Sequence, residues 1–187
     1  MLLSPISSSR RLRARSRLGK YRIEGCLVEG AYSNVYRAYD TIECIRVALK
    51  IPHPDLANEA FLEAFKQEAR LAAKIQHPLI LGLKDASIID GHFVMTSQLG
   101  TESLADRLTR RLSSRNLALF MGQSLEALSL LHQHRIVHCD LKPENFILFP
   151  GPMLRLADFG IARLAIRTLE ASGSGTLGHM APEQAMG

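Results

Sequence analysis

The chain has 187 residues, of which 47% are hydrophobic and 22% are charged. This length is typical of one domain, and the composition excludes an intrinsically disordered chain. The formal net charge is +5, but the first 20 residues alone hold six basic side chains and no acidic one, so the other residues sum to −1. A nucleic-acid-binding body is therefore not expected, because the basic charge lies outside it.

Residues 1–20 are expected to form a basic, disordered arm, and binding to an acidic partner, binding to a membrane surface and organelle targeting remain open alternatives. No run approaches the roughly 18 consecutive apolar residues of a membrane-spanning helix, so we expect no transmembrane segment. The cysteines, Cys26, Cys44 and Cys139, are odd in number and lack metal-binding spacing. This pattern favours the reducing cytoplasm.

After the arm, β-rich segments come first and helical periodicity follows. Residues 21–51 are interrupted by glycines and predict three antiparallel strands, and prolines separate them from a helix. The predicted elements, in chain order, are strands at Tyr21–Ile23, Val35–Tyr39 and Ile45–Ile51, a helix over Glu59–Gln76, a strand pair within Ile88–Leu99 around the turn Asp90-Gly91, and an amphipathic helix over Asn116–His134.

Lys50 and Glu68 form the first candidate functional pair. Strand alternation places Lys50 and Ala48 on the face opposite the apolar residues of strand 45–51. Glu68 lies on the apolar stripe of the first predicted helix, where a buried carboxylate needs a partner. A lysine on the neighbouring strand could supply the opposite charge. Taken alone, Lys50 is better explained as an ordinary solvent-exposed lysine of a half-exposed strand, and Glu68 is what favours the pair.

A second set of polar residues lies in the segment 136–158. Asp140, Lys142 and Asn145 fall within six residues, and Asp158 follows a short apolar strand. Asp and Asn offer the oxygen ligands that Mg²⁺ prefers. The alternative is that these are ordinary turn-forming residues.

Four short segments follow one another along the chain. They are Val47-Ala48-Leu49-Lys50, His138-Cys139-Asp140-Leu141-Lys142-Pro143-Glu144-Asn145, Asp158-Phe159-Gly160 and Ala181-Pro182-Glu183. In this order they make the chain resemble a eukaryotic-like Ser/Thr protein kinase of the bacterial type. The resemblance covers residues 21–187 and implies an α+β, two-lobed fold, with a small lobe of antiparallel strands plus one helix over 21–97, hinge included. A mainly helical, incomplete large lobe would span 98–187.

The resemblance also implies roles for individual residues. Asp140 would accept the substrate hydroxyl proton, and Lys142 would steady the transferring phosphoryl group. Lys50, fixed by Glu68, would hold the phosphates of ATP, while Asn145 and Asp158 would hold Mg²⁺. The remaining ATP-binding positions would be Leu27, Val28, Glu29, Gly30, Ala31, Tyr32, Ser33, Asn34, Val35, Ala48 and Met95.

Two features depart from the family pattern. Of the three glycines in the phosphate-binding loop only Gly30 is present, with Val28 and Ser33 at the other two positions, so weaker ATP binding is expected. The chain ends four residues after Glu183, where the family continues with several helices. This end suggests truncation after the Ala-Pro-Glu motif, or a complementing partner for the missing helices.

The sequence therefore predicts an enzyme that transfers the γ-phosphate of Mg-ATP to a Ser or Thr hydroxyl of a protein substrate. The alternative is a truncated kinase-like module, weakly active or inactive, that binds nucleotide or a protein partner.

Overall fold

The structure is a computed structural model that describes residues 12–54, 59–138 and 140–158, without the side chain of Ala60. The described residues divide into two compact units. The first contains the residues up to Leu62 together with Lys84–Leu99, and the second contains Glu63–Leu83 and the described residues from Gly100 onward.

The first unit is built on a six-stranded sheet with the order β1-β2-β3-β4-β6-β5. Strands β1 to β4 form antiparallel hairpins in succession, and β6 pairs antiparallel with β4. This arrangement confirms the predicted antiparallel small lobe. The strands are β1 (Arg17–Leu18), β2 (Tyr21–Glu29), β3 (Ser33–Asp40), β4 (Ile45–Pro52), β5 (Leu83–Ile89) and β6 (His92–Gln98).

Strand β4 alternates as its sequence predicts. Val47, Leu49 and Ile51 are buried in the core of the first unit, whereas Ala48 and Lys50 are half-buried on the opposite face. This alternation follows from the two-residue period of an extended chain. The packing of β4 is thus separate from the face that bears Lys50.

The second unit combines helices with a small antiparallel sheet. Its core joins the end of α1 to α3, β8 and β9 through residues such as Ile75, Phe120, Leu131, Phe146 and Leu156. The helices are α1 (Glu59–Lys74), α2 (Leu104–Leu108) and α3 (Ser114–Gln133), and the strands are β7 (Glu102–Ser103), β8 (Phe146–Phe149) and β9 (Met153–Leu156). None of the helices in the described ranges is long and apolar enough to cross a membrane.

Helix α1 has the buried stripe that its periodicity predicts, with Phe61, Phe65, Glu68 and Ile75 all buried. The sequence assigned residues 63–83 to the small lobe, but the structure groups them with the second unit. The reason is that Ile75, Leu79 and the other apolar residues at this end of the segment pack into the second core.

The expected disorder of residues 1–20 does not extend to residues 12–20. Leu18 in β1 is buried in the first core, and β1 pairs with β2. Lys20 Nζ lies 2.8 Å from Oδ2 of Asp40, a carboxylate only 1% exposed. The sequence analysis weighed the basic charge of this segment and so did not predict that Leu18 would be buried or that Lys20 would pair with Asp40. Residues 1–11 lie outside the described residues.

The Lys20–Asp40 ion pair makes stability depend on pH. Burial acts to raise the pKa of Asp40, but Lys20 and the backbone N–H groups of Glu43 and Ile42 together hold it below the ordinary aspartate value. The pKa of Lys20 is raised, chiefly by its hydrogen bond to Asp40. A carboxyl with a lowered folded-state pKa stabilises the fold above its unfolded-state pKa, and this stabilisation disappears as the pH falls through the folded-state value.

We therefore expect Lys20→Met to lower the free energy of unfolding at pH 7 by about 1–3 kcal/mol, since it leaves a buried carboxylate without its ammonium partner. The loss should shrink as the pH falls from the ordinary aspartate value through the lowered folded-state pKa of Asp40, because below that pKa Asp40 is protonated in both proteins. Urea unfolding of both proteins at several pH values measures this difference in the free energy of unfolding. Lys66→Met is the control, since Lys66 and Glu63 form an exposed pair whose removal is expected to change stability little. Equal losses for the two variants would contradict the prediction.

Candidate functional site

The loop between β2 and β3 contains the predicted phosphate-binding residues. Gly30 N–H donates to the Ser33 carbonyl at 3.0 Å, which closes a tight turn. A Cβ at Gly30 would lie 2.7 Å from that carbonyl oxygen, so this position requires glycine. Val28 pairs with Val35 in the strand ladder, so it has the extended backbone that a β-branched residue favours.

The sheet register brings three of the predicted ATP-binding residues into one row. Val35 of β3 lies opposite Lys50 of β4, and Lys50 lies opposite Met95 of β6. Directly opposed residues of antiparallel strands have their side chains on the same face. Val35 and Lys50 are half-buried, and Met95 is buried. Ala48, two residues before Lys50, is on the same face of β4.

The remaining predicted positions of this loop differ in exposure. Asn34 is half-buried, and its Nδ2 donates to the Tyr36 hydroxyl at 3.1 Å. Ser33 is also half-buried, and Tyr32 is partly exposed with its ring against Phe61. Besides Tyr32, the exposed positions are Leu27, Val28, Glu29, Gly30 and Ala31.

The second unit brings Asp140, Lys142 and Asn145 together in the loop between α3 and β8. Lys142 Nζ lies 2.8 Å from Asp140 Oδ2. Asn145 Nδ2 donates to the Asp140 main-chain carbonyl at 2.7 Å and approaches its Oδ2 at 3.4 Å. A short 3₁₀ turn, Pro143–Asn145, makes these contacts possible by turning the chain back toward Asp140.

The electrostatics of this loop keep Asp140 ionised. Burial acts to raise the pKa of Asp140, but the ion pair with Lys142 and the amide of Asn145 outweigh burial and hold the pKa below the ordinary aspartate value. At neutral pH the carboxylate is therefore a hydrogen-bond acceptor only, which is the state a proton-accepting group needs.

His138 is a supporting residue that the sequence analysis did not single out for a role. It is buried, its Nε2 lies 3.0 Å from the Ala157 carbonyl oxygen, and the Asp140 N–H lies 3.4 Å from its Nδ1. Burial lowers the pKa of His138, which favours the neutral ring with the proton on Nε2. His138 thereby links the backbone of Asp140 to the residue that precedes Asp158. The sequence feature that could have indicated this role is the position of His138 in an apolar segment, two residues before Asp140.

Asn145 and Asp158 have a donor chemistry that fits Mg²⁺. The Asn145 amide nitrogen is used toward Asp140, which leaves the side-chain carbonyl oxygen as its group for a cation. The Asn145 backbone carbonyl accepts from the Ala157 N–H at 2.8 Å, so Asp158 follows directly after a residue bonded to Asn145. Asp158 has a left-handed backbone with φ of 55° and is exposed. Amide and carboxylate oxygens of this kind are typical Mg²⁺ ligands.

The pairing of Lys50 with Glu68 stays a prediction. Lys50 lies in the first unit and Glu68 in the second, and Glu68 is buried on α1 as the apolar stripe required. Cys139, Phe159, Gly160 and the segment with Ala181-Pro182-Glu183 lie outside the described residues.

Comparison with known proteins shows similarity to the protein kinase family. The sequence profile of the protein kinase domain matches residues 21–185. Pkn2, a serine/threonine-protein kinase of Myxococcus xanthus, is 35% identical over 181 residues, which cover 90% of this chain and 22% of that protein. PrkC, a serine/threonine-protein kinase of Bacillus subtilis, is 32% identical over 176 residues, which cover 90% of this chain and 27% of that protein. The chain thus spans about a quarter of the length of these relatives.

Solved structures agree with this similarity. The apo form of PpkA-294 superposes with a TM-score of 0.73 at 26% identity, covering 86% of this chain and 66% of that one. The kinase domain of Mycobacterium tuberculosis PknI superposes with a TM-score of 0.62 at 28% identity, covering 81% of this chain and 64% of that one. The fold of the described residues is therefore that of these domains.

Proposed function

Because this chain belongs to the protein kinase family, we propose that it transfers the γ-phosphate of Mg-ATP to Ser or Thr hydroxyls of a protein substrate. The observation that carries the proposal is the loop in which Lys142 and Asn145 both contact Asp140. The similarity to named serine/threonine-protein kinases supports the choice of hydroxyl. The kinase domain is assigned to residues 21–187.

Asp140 is the proton acceptor of the proposed reaction. Its ionised carboxylate accepts a hydrogen bond from the attacking hydroxyl, orients that oxygen and receives its proton during transfer. Lys142 holds Asp140 ionised through their contact at 2.8 Å. During the reaction its ammonium also stabilises negative charge on the transferring phosphoryl group.

The nucleotide is assigned to residues of the first unit. Lys50 binds the α- and β-phosphates, with Glu68 as the partner that orients its ammonium. The loop from Leu27 to Val35 supplies backbone N–H groups to the phosphates, while Ala48 and Met95 line the position of the adenine. The shared row of Val35, Lys50 and Met95 supports this assignment.

Asn145 and Asp158 are the residues that would hold Mg²⁺. The bound cation would neutralise charge on the phosphate oxygens and so favour nucleophilic attack. The contact of Asn145 with the Asp140 carbonyl joins the proposed cation ligand and the proposed proton acceptor by a hydrogen bond within one loop.

The test is a phosphotransfer assay with the full chain, γ-labelled ATP and a mixed-sequence peptide library that contains Ser, Thr and Tyr. We expect label on Ser and Thr peptides with Mg²⁺ present, and no label after chelation by EDTA. Mass spectrometry identifies the modified residues. Label confined to Tyr, or absent at saturating Mg-ATP, would contradict the proposal.

Two further assignments belong to the same proposal. The cysteines are odd in number and lack metal-binding spacing, a pattern that supports a reducing compartment, so the protein is assigned to the cytoplasm. Cell fractionation with specific antibodies tests this localisation. The comparisons give no support to a complementing partner and no better support to the inactive-module alternative, so neither is adopted.

A further inference from the structure

His53 contacts the phosphate-binding loop through two hydrogen bonds. Its backbone N–H donates to the Tyr32 carbonyl at 2.9 Å, and its Nε2 lies 2.8 Å from the Gly30 carbonyl oxygen. A carbonyl oxygen only accepts hydrogen bonds, so Nε2 carries the proton in this contact. Two carbonyl groups of a three-residue loop are therefore bound to one residue at the end of β4.

The first of these contacts continues the sheet. Ser33 lies opposite Pro52, and the bond from His53 to Tyr32 extends the β3–β4 ladder by one step. The second contact uses the side chain of His53. The Tyr32 ring also packs against Phe61, with 6.0 Å between the ring centroids and a tilt of 48°. The loop is thus anchored on both its backbone and its aromatic side chain.

The contact with Gly30 also determines the direction of an amide. The peptide bonds of the described residues contain no cis bond, and in a planar trans peptide the C=O and N–H groups have opposite directions. When the Gly30 carbonyl binds His53, the N–H of Ala31 therefore points away from His53. Oriented backbone N–H groups in a glycine-containing loop are the usual ligands of phosphate oxygens.

We propose that His53 is a positioning residue for the triphosphate, because it holds the Gly30 and Tyr32 carbonyls and so presents the loop amides to the phosphates. This role rests on the proposed function. It also accounts for a loop that has a single glycine at its turn: a conformation held before binding costs less to order when the nucleotide arrives.

The role is tested with His53→Leu, which removes the side-chain donor and keeps the backbone bond, and with His53→Gln, whose amide nitrogen restores a donor. His92→Leu is the matched control, since His92 is a half-buried histidine at the start of β6 in the same unit. Each protein is titrated with Mg-ATP and with adenosine, and steady-state kinetics give the KM for ATP and kcat.

We expect His53→Leu to weaken Mg-ATP binding about 3- to 10-fold, which corresponds to one hydrogen bond, and to leave the affinity for adenosine unchanged. The KM for ATP should rise by the same factor while kcat at saturating ATP stays constant. His53→Gln should recover most of the affinity, and His92→Leu should match the wild type. An equal loss for ATP and adenosine would overturn the role, since it would indicate a general effect on the fold.

Amide hydrogen exchange in the absence of nucleotide provides a readout that does not depend on activity. In His53→Leu the Gly30 amide should exchange faster, while the amides of Val47–Ile51 in the core strand keep their protection. Unchanged exchange at Gly30 would overturn the role of His53. Failure of the wild-type chain to bind Mg-ATP would instead overturn the proposed function, so the two results are distinguishable.

Discussion

Replacing Asp140 with Asn is expected to lower kcat of phosphotransfer by about 10²- to 10⁴-fold, the usual contribution of a positioned proton-transfer group. Asparagine keeps the shape of the side chain but accepts no proton. The affinity for ATP should stay near the wild-type value, because Asp140 is assigned to the hydroxyl and not to the nucleotide.

The fold should tolerate this substitution. The shorter Asn145 contact is to the Asp140 main-chain carbonyl, which the substitution preserves. The ion pair with Lys142 is partly exposed, with 24% and 34% of the two side chains accessible, and such a pair contributes about 1 kcal/mol or less. A melting temperature within a few degrees of the wild type is the expected check.

Asp85→Asn serves as the matched control for Asp140→Asn. Asp85 is an exposed carboxylate on β5 whose contact is a local hydrogen bond from Ser87 Oγ at 2.9 Å. Single-turnover kinetics with saturating Mg-ATP compare both variants with the wild type. If Asp140→Asn kept more than half of the wild-type rate, Asp140 would not be the proton acceptor.

The features that sequence analysis predicted correctly are those that depend on local period. The alternation of Val47, Leu49 and Ile51 follows from an extended backbone, and the buried stripe of α1 follows from 3.6 residues per turn. The turn at Asp90-Gly91 was predictable from residue type, because both residues take the positive φ that such hairpin turns require.

The features it missed depend on contacts between distant segments. The burial of Leu18 and the pairing of Lys20 with Asp40 depend on sheet closure, so the charge count of residues 1–20 was misleading. His138 acts through Ala157, 19 residues later, and His53 acts through Gly30, 23 residues earlier. The residues next to either histidine in the sequence do not indicate which distant carbonyl group it contacts.

Helix α3 shows that a correctly predicted element can still have exposed apolar residues that its pattern does not identify. Its amphipathic pattern correctly predicts a helix, yet of its apolar residues Leu117, Met121 and Leu125 are exposed while Phe120 and Leu131 are buried. Periodicity identifies an apolar face, but which part of that face is covered depends on the elements packed against it.

Replacing Lys50 with Met should lower kcat/KM for ATP by about 10²- to 10³-fold, the range found when one preorganised charge-stabilising donor is removed. Methionine keeps the unbranched apolar stem and removes the ammonium that is assigned to the phosphates. Stability should change little, because the packing of β4 comes from the opposite face, where Val47, Leu49 and Ile51 are buried.

Arg46→Met is the matched control for Lys50→Met, since Arg46 is a cation of the same strand with 63% of its side chain exposed. Its ion pair with Glu24 is on the surface, so its removal should change kcat/KM by less than about twofold. A comparable loss in both variants would show that net charge on β4, and not the Lys50 ammonium, determines the activity.

The predicted partnership of Lys50 with Glu68 is tested by a double-mutant cycle. If Glu68 acts by orienting the Lys50 ammonium, Glu68→Gln should reduce kcat/KM in the wild-type background and have almost no further effect in Lys50→Met. Thermal melting of Glu68→Gln separates this coupling from a packing defect, because Glu68 is buried on α1. Additive losses in the cycle would mean that the two residues act independently, and the buried carboxylate of α1 would then need a different partner.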